Sequence, residues 1–361
     1  MQTKPLLTIN LSALARNYKM LDKYSSSSLC GAVIKANAYG LGVEEVIDCL
    51  YSNGCRNYFV ANIYEAIEIR NKYKNIDIFI LDGLASSDIK LILEKNLIPV
   101  LNSLDEIYSW VDKSSDTEHP IAIHFDTGMA RLGLAESDVL RLYKNKNLID
   151  KLAISFIFTH LSCSSEPDNL INDEQIILFN KLTKLFPGVR TSVGNSGTIL
   201  KRPDLLGDLV RPGIALYGMS PFQNLENPME KVFSLTAPIL QLREANKKIT
   251  VGYGANSEVS ANSLLATIGV GYADGIPRSL SNREFCFIND KKVKIVGPVS
   301  MDLITIDVSS IPKKDLYIGC GIEIFGNNSD IDSIASSIDT IGYELLTRLG
   351  SRIERKYIYD N

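Results

Sequence analysis

Residues 33–42 read Val-Ile-Lys-Ala-Asn-Ala-Tyr-Gly-Leu-Gly, so a lysine, Lys35, ends an apolar run and a glycine-rich turn follows. A lysine amine in a partly desolvated pocket loses basicity and can attack carbonyl compounds. The same lysine at a solvated strand end is an ordinary surface charge or ion-pair partner. Further along, Gly194-Asn195-Ser196-Gly197 and Arg211-Pro212-Gly213-Ile214 gather small residues, a hydroxyl and an arginine. Such stretches let backbone N–H groups approach a phosphate, although each alone also reads as a plain turn.

The elements that must position these residues alternate. Apolar stretches at Gly31–Lys35, Asn57–Ala61, Asp77–Leu81, Ile98–Leu101, Ile121–Asp126, Ala153–His160, Arg190–Val193 and Asp208–Leu216 read as strands. Helical stripes lie between them, such as Val43–Tyr51, with Glu44 and Glu45 in its first turn, and a helix over about 173–186 that stops at Pro187-Gly188. An earlier amphipathic helix starts at Leu11, with Asn10 as its cap. Strand–helix alternation implies parallel βαβ units, and about eight of them close into a (β/α)8 TIM-like barrel. In that fold Lys35 ends the first strand, at the mouth where active sites form, and the two glycine-rich stretches fall after the seventh strand and on the eighth, the usual phosphate cradle. Beyond Pro228–Lys231 the pattern changes to closely spaced strands with two helical stretches near 331–349. The sequence therefore predicts an α/β barrel over residues 1–230 and a mostly β C-terminal domain over 231–361.

The chain has 361 residues and a net charge of −4, without the basic stripe that nucleic acid requires. No apolar run approaches the ~18 residues of a membrane span, and the first residues do not resemble a signal peptide, so a cytoplasmic protein is expected. The six cysteines form no Cys-x-x-Cys pair and the three histidines complete no zinc spacing. Neither a disulfide framework nor a structural metal is expected.

The Lys35 stretch closely resembles the pyridoxal-phosphate attachment motif of the alanine racemase family. The resemblance continues through residues 126–133 (Asp-Thr-Gly-Met-Ala-Arg-Leu-Gly), 158–160 (Phe-Thr-His), 195–197 (Asn-Ser-Gly) and 210–218 (Val-Arg-Pro-Gly-Ile-Ala-Leu-Tyr-Gly). It extends to residues 252–255 (Gly-Tyr-Gly-Ala), 271–275 (Gly-Tyr-Ala-Asp-Gly), 300–302 (Ser-Met-Asp) and 340–344 (Thr-Ile-Gly-Tyr-Glu). These blocks follow the family's order over nearly the whole chain.

The resemblance implies a racemase that interconverts L- and D-alanine by a two-base mechanism, supplying D-alanine for peptidoglycan. It implies pyridoxal 5'-phosphate as cofactor and a homodimer whose active sites take residues from both subunits. Lys35 would hold the cofactor and act as the base on one face of the substrate. Tyr253, from the other subunit, would be the base on the opposite face; an ordinary tyrosine has a pKa of about 10, so nearby cations must favour its phenolate. Arg211 would face the pyridine nitrogen, with His160 helping to orient it. Tyr39, Ser196, Gly213, Ile214 and Tyr343 would hold the phosphate, with Asn195 in the same cradle. Arg131 and the N–H of Met301 would bind the substrate carboxylate, while Tyr272 and Asp302 would line a narrow entrance.

One position departs from the family. Many members carry a carbamylated lysine that positions the substrate-binding arginine; here the residue is His124. With a reference pKa of about 6.5, His124 is expected to charge in mildly acidic solution and repel Arg131. Three other readings stand beside alanine racemisation. One is a serine or broad-specificity racemase of the same fold, and another is a barrel decarboxylase, which would need an acidic residue at the pyridine nitrogen. The third is a non-enzymatic pyridoxal-phosphate-binding protein, which would lack the second domain.

Overall fold

The computed structural model describes residues 2–114, 118–222 and 225–360. Its first strand, β1 (Leu6–Asn10), leads into a helix over Leu11–Tyr24, where the Asn10 side chain accepts from the Ala13 N–H and Leu11, Leu14, Tyr18 and Leu21 are buried. Next come β2 (Leu29–Cys30), β3 (Ala32–Val33), β4 (Asn57–Val60), β5 (Asp77–Ile80), β6 (Ile98–Leu101), β7 (Pro120–His124), β8 (Ala153–Phe158), β9 (Arg190–Ser192) and β10 (Leu209–Val210). Neighbours in this series pair in parallel. β10 returns to β2, and Gly31, whose N–H donates to Val210 O, links β2 directly to β3. The sheet thus closes into the expected barrel.

Side-chain alternation fills both sides of this wall. Phe59, Phe79, Val100, Phe156 and Phe158 pack inside it, whereas Tyr58, Ile78, Leu101 and Ile157 face the surrounding helices. Phe59 and Phe79 stack at 4.9 Å, and Phe79 lies 5.6 Å from Phe158. The interior is a solid aromatic plug beneath the mouth.

Several boundaries differ from the sequence expectation, and the strand expected to end at Lys35 stops at Val33. The last barrel strand stops at Val210 rather than Leu216. Pro212 has no N–H to continue the ladder, and the chain turns into a 3-10 segment over Ile214–Tyr217. The helix expected over 173–186 spans Leu170–Thr183, capped by Asn169.

The second sheet contains β11 (Phe233–Glu244), β14 (Leu264–Ile268), β15 (Glu284–Ile288), β16 (Lys291–Ile295), β17 (Ile304–Asp307), β18 (Gly321–Phe325) and β19 (Glu354–Ile358). Between β11 and β14, β12 (Ile249–Val251) and β13 (Ser257–Val259) form a separate two-stranded ribbon. This mostly β domain also claims β1, which pairs antiparallel with β11 and parallel with β19. A division after residue 230 leaves β1 on the barrel side although its hydrogen bonds lie in the second sheet.

Candidate active site

Lys35 follows β3 at the barrel mouth, and the segment after it has an unexpected shape. Ala36, Asn37, Ala38 and Tyr39 all adopt φ between 52° and 57°, a left-handed helical turn. Each L-residue in such a turn costs about 1–2 kcal/mol, so the surroundings must over-determine it. Glu65 accepts from the N–H groups of Ala36 (2.7 Å) and Ala61 (2.8 Å), and Asn37 Oδ1 accepts from Val43 N–H (2.8 Å). From the second domain, Arg355 donates to Gly40 O (2.8 Å) and Tyr357 to Leu41 O (2.9 Å).

The half-buried Lys35 amine makes no hydrogen bond or ion pair among the described residues. Burial, then the Arg131 charge, lowers its pKa, opposed by Glu65. The left-handed turn sends Tyr39 toward the end of the barrel's last strand. Its hydroxyl lies 2.5 Å from where a Cβ on Gly213 would stand, so a side chain there would displace the phenol. Burial raises the Tyr39 pKa, and Tyr343 adds to the effect. Tyr39 also packs on Tyr217, at 4.9 Å between rings.

Ser196 and Gly213 meet as the sequence suggests. Ser196 Oγ accepts from the N–H groups of Gly213 (3.0 Å) and Ala215 (3.2 Å), which leaves its own proton to donate. The Ile214 N–H makes no hydrogen bond among the described residues. Asn195 serves differently: its Oδ1 caps the helix Ser196–Lys201 through Gly197 and Thr198 N–H, and its Nδ2 donates to Ser164. It shapes the cradle through the backbone.

Arg211 is buried over the plug, with its guanidinium carbon 4.9 Å from the Phe158 ring centre. Nη1 donates to Ser192 O (2.8 Å) and Oγ (2.5 Å), and Nη2 donates to Thr159 O (2.7 Å). Burial lowers its pKa to about 10, so it remains a cation at neutral pH. These carbonyls and the Ser192 hydroxyl orient the arginine. The His160 ring makes no hydrogen bond among the described residues, and burial, then Arg211, holds its pKa at about 3. Ser192 and Thr159 were not singled out in the sequence, since neither belongs to a chemically distinctive motif.

Arg131 is exposed, in a loop that folds back on β7. Asp126 Oδ1 accepts from Gly128 (2.9 Å), Met129 (2.9 Å) and Ala130 (3.1 Å), and Leu134 N–H donates to His124 O (2.7 Å). His124 is neutral at mild acidity: burial, then Arg211, lowers its pKa to about 4. The expectation that it charges near 6.5 is overturned, because desolvation opposes the cation.

The remaining residues lie on the second domain. Tyr253 sits at the tip of the β12–β13 ribbon and is 76% exposed. Tyr272 and Met301 are exposed, and their segments are laced together by the Tyr272 N–H to Ser300 O and Ala273 N–H to Met301 O bonds. Arg352 links Asp302 (2.7 Å) to the buried Asp274 (2.8 Å). Among the described residues, no hydrogen bond or ion pair joins Tyr253, Tyr272, Met301 or Asp302 to Lys35 or Arg211. Tyr343, by contrast, reaches the Tyr39 side of the mouth.

The family model for the alanine racemase N-terminal domain matches residues 9–221, and that for the C-terminal domain matches residues 232–357. The chain belongs to the alanine racemase family. Its members are isomerases. The chain is 41% identical over 354 residues to an alanine racemase of Rickettsia canadensis, covering 97% of this chain and 98% of that one. It is 40% identical over 356 residues to one of Rhodospirillum rubrum, covering 98% and 95%. A crystal structure of alanine racemase from Bartonella henselae with covalently bound pyridoxal phosphate superposes with a TM-score of 0.93 at 36% identity, covering 99% of this chain and 100% of that one.

The mouth fits such a cofactor. An amine and an N–H without partners among the described residues, a hydroxyl with a proton to donate and a glycine that keeps space beside a phenol are what a phosphorylated aldehyde requires. No group of three or more metal-ligating side chains occurs among the described residues, and no helix among them is long and apolar enough to cross a membrane.

Proposed function

We propose that this chain racemises alanine with pyridoxal 5'-phosphate, as a cytoplasmic homodimer that supplies D-alanine for peptidoglycan. The observation that carries this reading is a desolvated Lys35, without a hydrogen-bond or ion-pair partner among the described residues, at the same barrel mouth as a buried Arg211. When bound, the cofactor supplies an electron-accepting ring that makes the substrate's Cα proton removable.

The chain's own residues do the rest. Lys35 holds the cofactor and moves a proton at Cα on one face. Tyr253 of the second copy serves the other face, and its exposure on the ribbon supports that assignment. Arg211, a cation at neutral pH, would keep a ring nitrogen placed against it unprotonated and limit electron withdrawal, which would favour return of the proton to Cα. Arg211 in the place where a decarboxylase needs an acidic residue speaks against that activity.

Tyr39, Ser196, Gly213, Tyr343 and the Ile214 N–H bind the phosphate. Arg131 and the Met301 N–H bind the substrate carboxylate, and Tyr272 and Asp302 limit substrate size. The test has two parts. Borohydride reduction should fix the cofactor on the peptide containing Lys35, and label on another lysine overturns the assignment. Chiral analysis across amino acids should give alanine the highest kcat/KM; a preference for serine would favour the neighbouring racemase reading.

A further inference from the structure

The phosphate cradle is built from both domains, and one carboxylate touches both halves. Asp332 lies on the helix Ile331–Ser336 of the second domain, half-buried. Its Oδ2 accepts from the Ser220 N–H at 3.2 Å. Ser220 ends the segment that begins at Gly213 and Ile214, where Gly218 N–H bonds Ala215 O and Met219 N–H bonds Ile214 O. The Gly342 backbone N–H also faces this carboxylate and favours its charged form. Gly342 opens the helix Gly342–Thr347, whose second residue is Tyr343. A Cβ on Gly342 would collide with Asp332 Oδ1. The far end of that helix lies against the Lys35 turn, with Leu346 O 2.7 Å from where a Cβ on Gly40 would stand.

We infer that Asp332 is a positioning residue for the cofactor phosphate: it locks the barrel half of the cradle (Gly213, Ile214) to the second-domain half (Tyr343). The inference rests on the proposed cofactor. With the Ser220 N–H on Oδ2 and the Gly342 backbone against Oδ1, the side chain must present an acceptor on both sides. A carboxylate does so, whereas an amide accepts on one side only and presents an N–H donor on the other. Asp332→Asn preserves size and breaks one of the two links whichever way the amide turns.

The experiment compares cofactor-stripped full-length protein, wild type and Asp332→Asn, binding pyridoxal phosphate and pyridoxal, which lacks the phosphate. The Kd for pyridoxal phosphate should rise about tenfold or more, the equivalent of ~1.4 kcal/mol, with pyridoxal affinity unchanged. Combined with Tyr343→Phe, the two losses should be less than additive. Parallel weakening of both ligands, or unchanged pyridoxal phosphate affinity, overturns the inference. Wild-type protein that binds neither ligand defeats the cofactor reading instead.

Should Asp332→Asn fail to fold, Gly342→Ala pushes on the same carboxylate oxygen and should give the same phosphate-selective loss. Hydrogen exchange on the unmodified protein needs no variant. Pyridoxal phosphate, and not pyridoxal, should slow exchange at Ser220 and Gly342 together, and no phosphate-dependent change there also overturns the inference.

Discussion

Asn102 decides which nitrogen of His124 carries the proton. Its Oδ1 lies 2.9 Å from His124 Nδ1, while its Nδ2 already donates to Leu81 O (3.2 Å) and Val100 O (3.0 Å). The amide oxygen must therefore accept, so Nδ1 donates and Nε2 keeps its lone pair. With its pKa lowered to about 4, the ring stays neutral where an ordinary histidine, near 6.5, would charge. The KM for alanine should accordingly give the same profile in wild type and His124→Asn between about pH 5 and 6.5. In Asn102→Asp, a carboxylate beside Nδ1 favours the imidazolium, and KM should rise as pH falls through that range. A wild-type KM that climbs in mild acid, relative to His124→Asn, would restore the titrating role.

The same burial affects stability. His124 and His160 have folded pKa values of about 4 and about 3, below the ordinary 6.5. Between these values and 6.5 the unfolded chain binds more protons, so stability falls as pH falls. Each histidine contributes a slope of up to about 1.4 kcal/mol per pH unit. Denaturant titrations at stepped pH should show a shallower acid loss in His124→Asn than in wild type; equal slopes would place His124 in water.

Tyr253→Phe should lower racemisation by roughly 10²–10⁴-fold, the usual contribution of a positioned acid or base. Because the enantiomers have equal free energy, kcat/KM must fall equally in both directions, so that ratio is uninformative. Solvent-deuterium exchange at Cα without inversion separates the two faces. It should persist with the enantiomer served by Lys35 and fade with the other. Near-wild-type racemisation in the variant would remove Tyr253 from the chemistry.

If each site takes Lys35 from one copy and Tyr253 from another, inactive Lys35→Ala and Tyr253→Ala proteins should complement. A two-fold dimer has two equivalent sites, so each mixed dimer has one site intact and one doubly damaged. Random exchange of equal amounts should restore about a quarter of wild-type activity. Demonstrated subunit exchange without recovery would show that both bases come from one chain.

Much of this architecture is legible in the sequence because it is locally encoded. Asn10 beside an apolar stripe marks a helix start, and the apolar runs ending at Ala61, Leu81 and Leu101 mark buried parallel strands, observed to within a residue. The mouth residues Lys35, Ser196, Arg211 and Gly213 are legible because their motifs stand at strand ends. What escapes local reading depends on distant partners. Ala36 and Ala38 carry no sign of a left-handed backbone; Glu65, Arg355 and Tyr357 impose it. The pKa of His124 is set by burial and by Arg211, and Asp332 looks like any helix-start aspartate until Ser220 and Gly342 meet it.

The pairing of β1 with β11 and β19 has a consequence for synthesis. Leu7 and Ile9, fully buried in the finished sheet, leave the ribosome long before residues 233–244, and find no strand to pair with until those follow. One flank of β1 then stays open until residue 358 has emerged. The barrel can close during that interval, since its strands span residues 29–210. A nascent chain therefore carries a sticky, unmatched edge through most of translation, and a stall before residue 354 leaves it uncovered for a chaperone, or another chain, to seize.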